Sequence, residues 1–138
     1  RLIKSDIPVE TVFENYWEEV YKAVSFSGFD AMAHFDFPKR YFKNCIWSKD
    51  QIEDIFKQMV KNDIALEINT SSLRKGLSES MPDKELLEIY KKVGGVKVTI
   101  GADTHKTRDL AADYDHAAAL VEEPLKNVMY IQRKPVFI

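Results

Sequence analysis

The sequence predicts an α/β fold with a mainly parallel sheet, either open or closed like a barrel. Helical and strand patterns alternate along the 138 residues, and such alternation implies right-handed crossovers between neighbouring parallel strands. The composition agrees, because 45% hydrophobic and 30% charged residues suit a chain that buries one core. We therefore expect residues 1–138 to form a single domain.

Four helices are predicted from apolar residues that recur at three- and four-residue spacing. They cover residues 8–28, 48–60, 82–93 and 114–122. The second helix has a start signal, since Ser48 and Gln51 stand at the spacing of a capping box. The third has a stop signal in the pair Gly94-Gly95.

Four strands are predicted between and after these helices, at residues 29–37, 64–69, 96–100 and 127–138. The first is a short apolar run stopped by Pro38, and the second alternates in polarity. In parallel α/β folds, ligands bind beyond the carboxyl ends of the strands. Polar residues at those ends are therefore the candidates for function.

Three strand ends carry such residues: His34 and Asp36, Glu67 and Asn69, Asp103 and His105. Residues two apart on a strand point to the same face. Asp103 and His105 are thus predicted to aim at one point, as are His34 and Asp36. Carboxylate oxygen and imidazole nitrogen together suit Zn, Mn or Fe.

Each feature also has a plainer explanation. A histidine at a strand end is often only a hydrogen-bonded structural residue, and His116, in the fourth helix, is predicted to be a surface residue. Arg40 and Arg74 follow the first two strands and suit a phosphate group, because a guanidinium binds phosphate oxygens in a bidentate manner. Solvated loop charges are the alternative for both.

Charge and composition disfavour several partners. The net charge is -2 and the basic residues are scattered, so a large nucleic-acid surface is not expected. No apolar run reaches the roughly 18 residues of a membrane span, and residues 1–6 are too polar for a signal peptide. Cys45 stands alone, which excludes an internal disulfide. We expect a cytoplasmic protein, and the start at Arg1 suggests a fragment or a processed piece.

Three segments resemble one family. Residues 29–41 resemble the D-x-x-x-H-x-D-x-x-K-R-Y segment of histidinol-phosphate phosphatases of the polymerase and histidinol phosphatase (PHP) superfamily. Residues 66–76 are similar to their E-I-N-T-S-G-L-R-K-G segment, and residues 101–105 to their G-S-D-A-H segment, with Ala102 and Thr104 as departures. The order of the three segments is that of the family.

The resemblance implies a fold and a set of roles. The fold would be the C-terminal portion of a distorted seven-stranded (β/α)7 barrel with a divalent metal cluster of Zn, Mn or Fe at its mouth. The implied metal ligands are His34, Asp103 and His105. The implied phosphate-binding residues are Arg40 and Arg74. The residues expected to hold the ligands in place are Asp36, Glu67 and Asn69. The implied reaction is hydrolysis of a phosphomonoester, and the implied substrate is histidinol phosphate in histidine biosynthesis.

Part of the family's metal site has no counterpart here, because its N-terminal H-x-H pair and further ligands are absent and the histidines are 34, 105 and 116. We therefore expect only partial metal occupancy and no activity of the chain alone. The missing ligands would come from an N-terminal half. The alternatives are a catalytically silent half-barrel that forms a homodimer, or another PHP phosphoesterase such as a phosphotyrosine phosphatase.

Overall fold

The computed structural model describes residues 7–42 and 44–138, and its elements follow the predicted alternation. The helices are α1 (Val9–Phe26), α2 (Lys39–Phe42), α3 (Lys49–Lys61), α4 (Lys84–Lys92) and α5 (Tyr114–Ala118). The strands are β1 (Ala31–Met32), β2 (Ala65–Asn69), β3 (Lys97–Gly101), β4 (Lys126–Ile131) and β5 (Lys134–Phe137). The α/β class is confirmed. The signal-peptide argument concerns residues 1–6, which lie outside the described residues.

The five strands form one sheet in the order β1-β2-β3-β4-β5. The first four are parallel, and β5 pairs with β4 in the antiparallel direction. The mainly parallel sheet is therefore as predicted, and the segments that follow β1, β2 and β3 leave the sheet at the same edge. Closure into a seven-stranded barrel stays a prediction.

A chain of aromatic rings fills the core between the helices and the sheet. Trp17 lies 5.1 Å from Phe35, Phe35 lies 4.6 Å from Phe56, and Phe56 lies 5.2 Å from Tyr90, measured between ring centroids. All four side chains are at most 1% exposed. Phe35 therefore anchors in the core the short segment that also carries His34.

The helix ends follow the predicted signals. The Ser48 hydroxyl accepts a hydrogen bond from the Gln51 backbone N–H at 3.3 Å, and Asp83 does the same for Leu86 at 3.0 Å. Each bond satisfies one of the backbone donors that a helix start leaves free. Gly94 has a φ of 95°, a left-handed conformation that glycine adopts without strain after a helix.

The prediction of a strand over residues 29–37 is wrong beyond Met32, where β1 ends. The chain turns after β1, where His34 has a φ of 35° and its carbonyl accepts a hydrogen bond from the Phe37 backbone N–H at 2.9 Å. A one-turn helix, α2, follows Pro38 and was not predicted. The argument that His34 and Asp36 share a strand face therefore fails, since neither residue lies in a strand.

The C-terminal region also departs from the prediction. The single strand predicted over residues 127–138 is a hairpin of β4 and β5, which turns at Gln132 and Arg133 with φ values of 50° and 64°. The Arg133 guanidinium reaches back to Asp30, just before β1, at 3.2 Å. The predicted helix at 114–122 is the shorter α5. His116 is exposed, as predicted.

In the ranges 7–42 and 44–138, no helix combines the length and the apolar character that crossing a membrane requires.

Candidate active site

A cleft lies beyond the carboxyl ends of the parallel strands, with a volume of about 610 Å³. Four residues predicted for function line it: Arg40, Arg74, Asp103 and His105. They come from three different segments, which follow β1, β2 and β3. The parallel sheet thus brings together side chains that are up to 65 positions apart in the sequence, from position 40 to position 105.

Asp103 stands at the centre of this group. One carboxylate oxygen, Oδ2, is 3.4 Å from Arg40 Nη1, and the other, Oδ1, is 3.7 Å from His105 Nδ1. The same imidazole nitrogen is 2.8 Å from the Asp103 carbonyl oxygen. Asp103 has a φ of 47°, a left-handed conformation that turns the chain sharply just after β3. Asp103 and His105 therefore lie side by side, and both face the cleft.

The two arginines are held by the protein rather than solvated. The Arg40 guanidinium lies 5.2 Å from the centre of the Phe37 ring, and its side chain is 15% exposed. Arg74 Nη2 donates to the Ala102 carbonyl, and its Nη1 is buried without a hydrogen-bond partner among the described residues. The alternative of solvated loop charges is therefore wrong for both. A buried guanidinium nitrogen with an unused donor suits an anionic ligand.

His34 occupies a neighbouring position. Its ring lies 4.9 Å from the Phe37 ring, and Phe37 lines the cleft. Within the described part of the chain, no group of three or more His, Cys, Asp or Glu residues is arranged to hold a metal ion. His34, Asp103 and His105 therefore do not form a complete metal centre in this conformation, and their assignment as ligands stays a prediction.

Glu67 and Asn69 support the site from β2, on the shared strand face that the sequence predicted. The Glu67 carboxylate accepts hydrogen bonds from the His34 backbone N–H and from the Asn69 amide, both at 2.9 Å. The Asn69 amide oxygen in turn accepts from the Ser71 backbone N–H at 3.0 Å and from its hydroxyl at 2.6 Å. The pair thus connects the turn that carries His34 to the loop that carries Arg74.

Asp36 lies apart from the cleft lining. Its side chain is fully buried, and Oδ2 is 2.6 Å from Lys39 Nζ. Burial raises the pKa of Asp36 to about 6, although the Lys39 charge opposes the shift. Desolvation outweighs the nearby charge because the carboxylate has lost contact with water. Asp36 therefore contacts α2 rather than the predicted metal ligands.

The lining also contains residues that the sequence patterns did not single out: Ser71, Lys75, Lys106, Arg108 and Asp109. With these, five cationic side chains face two carboxylates in the cleft, although the whole chain has a net charge of -2. The sequence signal that could have identified them is their place in the loops that follow β2 and β3, since such loops build the mouth of a parallel α/β fold. The local excess of positive charge favours a multiply charged anion.

The fold and the cleft define a class: an α/β protein with a cationic, arginine-lined site at the carboxyl edge of a parallel sheet. Comparisons with known proteins find relatives of similar sequence. The chain is 36% identical over 106 residues to a probable histidinol-phosphatase of Thermotoga maritima, a match that covers 76% of this chain and 45% of that protein. It is 28% identical over 144 residues to a probable histidinol-phosphatase of Clostridium acetobutylicum, a match that covers 96% of this chain and 55% of that protein. No family model matches.

A solved structure shares the α/β fold of this chain. Histidinol phosphate phosphatase of Lactococcus lactis, crystallised with zinc, L-histidinol and phosphate, superposes with a TM-score of 0.71 at 17% identity, over 95% of this chain and 53% of that one. In sequence the chain is similar to proteins named as probable histidinol-phosphatases, which are phosphoric monoester hydrolases. It spans about half the length of the curated relatives it matches. This partial coverage fits the predicted C-terminal part.

Proposed function

We propose that this chain supplies the phosphate-binding side of a metal-dependent hydrolase of histidinol phosphate in histidine biosynthesis. The observation that carries the proposal is the approach of Arg40 and Arg74 to the same cleft as Asp103 and His105. The relatives named as histidinol-phosphatases support the reaction class. The Lactococcus lactis structure, solved with L-histidinol and phosphate, supports the substrate.

Arg40 and Arg74 bind and orient the phosphoryl group. A guanidinium donates two parallel hydrogen bonds to phosphate oxygens, and a fixed orientation lowers the barrier by removing rotational freedom before the reaction. In the structure Arg40 pairs with Asp103 at 3.4 Å, a long contact that a phosphate oxygen can replace. Arg74 is anchored through Nη2 to the Ala102 carbonyl, and its side chain lines the cleft and stays 23% exposed, so a ligand can contact the guanidinium.

His34, Asp103 and His105 would hold the divalent metal ion. Nitrogen and oxygen donors of this kind suit Zn, Mn or Fe. Asp103 and His105 already lie together, and the Glu67 carboxylate holds the backbone of His34 through a hydrogen bond of 2.9 Å. When bound there, the ion would supply an activated water and would neutralise charge on the phosphoryl oxygens. Three protein ligands suffice for one ion, whereas a cluster needs donors from another polypeptide segment.

A second polypeptide surface therefore completes the proposed site. The segment that corresponds to the rest of the relatives' length is the first candidate. A second copy of the chain is the other candidate, and large apolar side chains exposed on the C-terminal hairpin favour assembly: Met129, Ile131, Val136 and Phe137. Such surfaces are typical of contact regions.

The test is phosphate release from L-histidinol phosphate with added Mn or Zn. The chain is assayed alone and mixed with the segment that corresponds to the rest of its relatives. We expect release only from the mixture, and a loss of about tenfold or more for Arg40→Met and for Arg74→Met, since a hydrogen bond to a charged group is worth about 1.5–3 kcal/mol.

Arg133→Met is the matched control, because this arginine pairs with Asp30 at the hairpin and lies outside the cleft lining. Its activity should equal that of the wild type. Full activity of both cleft variants would refute the phosphate-binding role. Turnover by the chain alone would refute the claim that the metal site needs further donors.

A further inference from the structure

Lys39 is a buried cation that the proposed chemistry does not use. It is 6% exposed as a whole residue. Its Nζ lies 2.6 Å from Asp36 Oδ2, 2.7 Å from the Ser80 carbonyl oxygen and 4.0 Å from Asp83 Oδ2. One ammonium group thus joins the turn after β1, the loop before α4, and Asp83, the N-cap residue of α4.

The next residue along the chain, Arg40, lies on a different side of α2. Arg40 faces the cleft, where its guanidinium lies beside Asp103 and over Phe37. Lys39 and Arg40 are the first two residues of α2, and α2 has four residues in all. A single helical turn has too few hydrogen bonds to hold its own conformation. Contacts of its side chains must therefore fix its rotation.

We propose that Lys39 is a positioning residue, whose buried ion pair with Asp36 fixes the rotation of α2 and thereby directs Arg40 into the cleft. The proposal rests on the proposed function only in naming phosphate as the ligand of Arg40. Since successive residues of a helix are about 100° apart, a rotation of α2 that releases Lys39 also turns Arg40 away from Asp103.

Stability alone is a poor explanation for this ion pair. Burying two charges costs about as much as their attraction returns, and apolar replacement of a buried pair is often neutral or stabilising. The contacts of Lys39 instead attach α2 to Asp36, Ser80 and Asp83.

The test replaces both charges at once. In Asp36→Asn/Lys39→Met no buried charge is left unpaired, so the protein is expected to fold with an unfolding midpoint near that of the wild type. The dissociation constant of inorganic phosphate is measured by calorimetric titration in a chelating buffer, so that no metal ion contributes. We expect it to weaken about tenfold, to the level of Arg40→Met.

The matched control is Asp63→Asn/Lys97→Met, which removes another Lys-Asp pair, at the start of β3 and away from the cleft. Its dissociation constant should stay within about twofold of the wild type. The proposal is overturned if Arg40→Met weakens phosphate binding while the Asp36/Lys39 variant keeps the dissociation constant of the wild type. If the double variant does not fold, Lys39→Arg replaces it in the test. This substitution keeps the charge but changes the length of the side chain, and it should weaken phosphate binding at least threefold. An unchanged dissociation constant for phosphate again overturns the proposal.

A failure of the proposed function looks different. Phosphate binding that is unaffected by both Arg40→Met and Arg74→Met refutes the phosphate site itself. The positioning role is then decided by a crystal structure of the Asp36/Lys39 variant. Loss of the contact between Arg40 and Asp103 supports the proposal, and an unmoved Arg40 overturns it.

Discussion

Gly101, the last residue of β3, lies directly under the Glu67 carboxylate, so a Gly101→Ala substitution tests how firmly Glu67 is held. A methyl group at this position would be 1.9 Å from Glu67 Oε1 and 2.7 Å from Cδ. Non-bonded heavy atoms prefer separations of about 3.5–4.0 Å. The carboxylate must therefore move by at least about 1 Å, which is more than a hydrogen bond tolerates.

The cost can be worked out from the bonds that Glu67 makes. Its Oε2 accepts from the His34 backbone N–H and from the Asn69 amide, both at 2.9 Å. Hydrogen bonds to a charged group contribute about 1.5–3 kcal/mol each. The half-buried carboxylate regains some hydration when it moves, and alanine restricts the unfolded chain more than glycine does, by up to about 1 kcal/mol. We expect the free energy of unfolding to fall by about 2 kcal/mol.

Urea denaturation of Gly101→Ala, followed by circular dichroism, measures this loss. The control is the same substitution in a Glu67→Ala background, where the methyl group no longer meets a carboxylate and should cost less than about 0.5 kcal/mol. Equal losses in the two backgrounds would show that Glu67 is not the group displaced. A loss below about 0.5 kcal/mol in the wild-type background would show that its two hydrogen bonds contribute little.

Two further predictions concern buried groups near α2. Burial raises the pKa of Asp36 to about 6, above the roughly 3.9 of an unfolded aspartate. The folded state therefore keeps a proton that the unfolded chain has lost, so this group's stabilising contribution is complete below about pH 4 and is lost as the pH rises through about 6. The difference in unfolding free energy between wild type and Asp36→Asn should fall by on the order of 2 kcal/mol over that range, and a flat difference would refute it. Burial also raises the pKa of the Cys45 thiol, which leaves less of the reactive thiolate. Iodoacetamide at pH 8 should therefore alkylate Cys45 in the folded protein at least about tenfold more slowly than in the urea-unfolded chain. Equal alkylation rates would contradict this prediction.

The elements with a strong local signal were predictable from the sequence. Helix α3 carries a periodic apolar face and a Ser48 cap, and both are properties of neighbouring residues. Strand β2 alternates in polarity from Leu66 to Asn69, so the shared face of Glu67 and Asn69 follows from the strand period alone. The class of the fold followed from the order of such elements.

The departures from prediction come from tertiary contacts. The segment 29–37 has a strand-like composition, but Phe35 is drawn into the core and His34 adopts a positive φ, which ends β1 after Met32. The pairing of Arg40 with Asp103 joins residues 63 positions apart. No local pattern encodes such a contact. The cleft residues were therefore predictable as individual strand-end candidates, whereas their partners were not.

The order of the sheet has a consequence for how the chain reaches this structure. In each parallel pair a strand joins the one that precedes it along the polypeptide, so every pairing becomes possible as soon as one more helix and strand have left the ribosome. Such vectorial growth avoids the wait for distant partners that slows many β-rich folds. The contact between Arg133 and Asp30 bridges 103 positions, and it can form only after the hairpin has been synthesised.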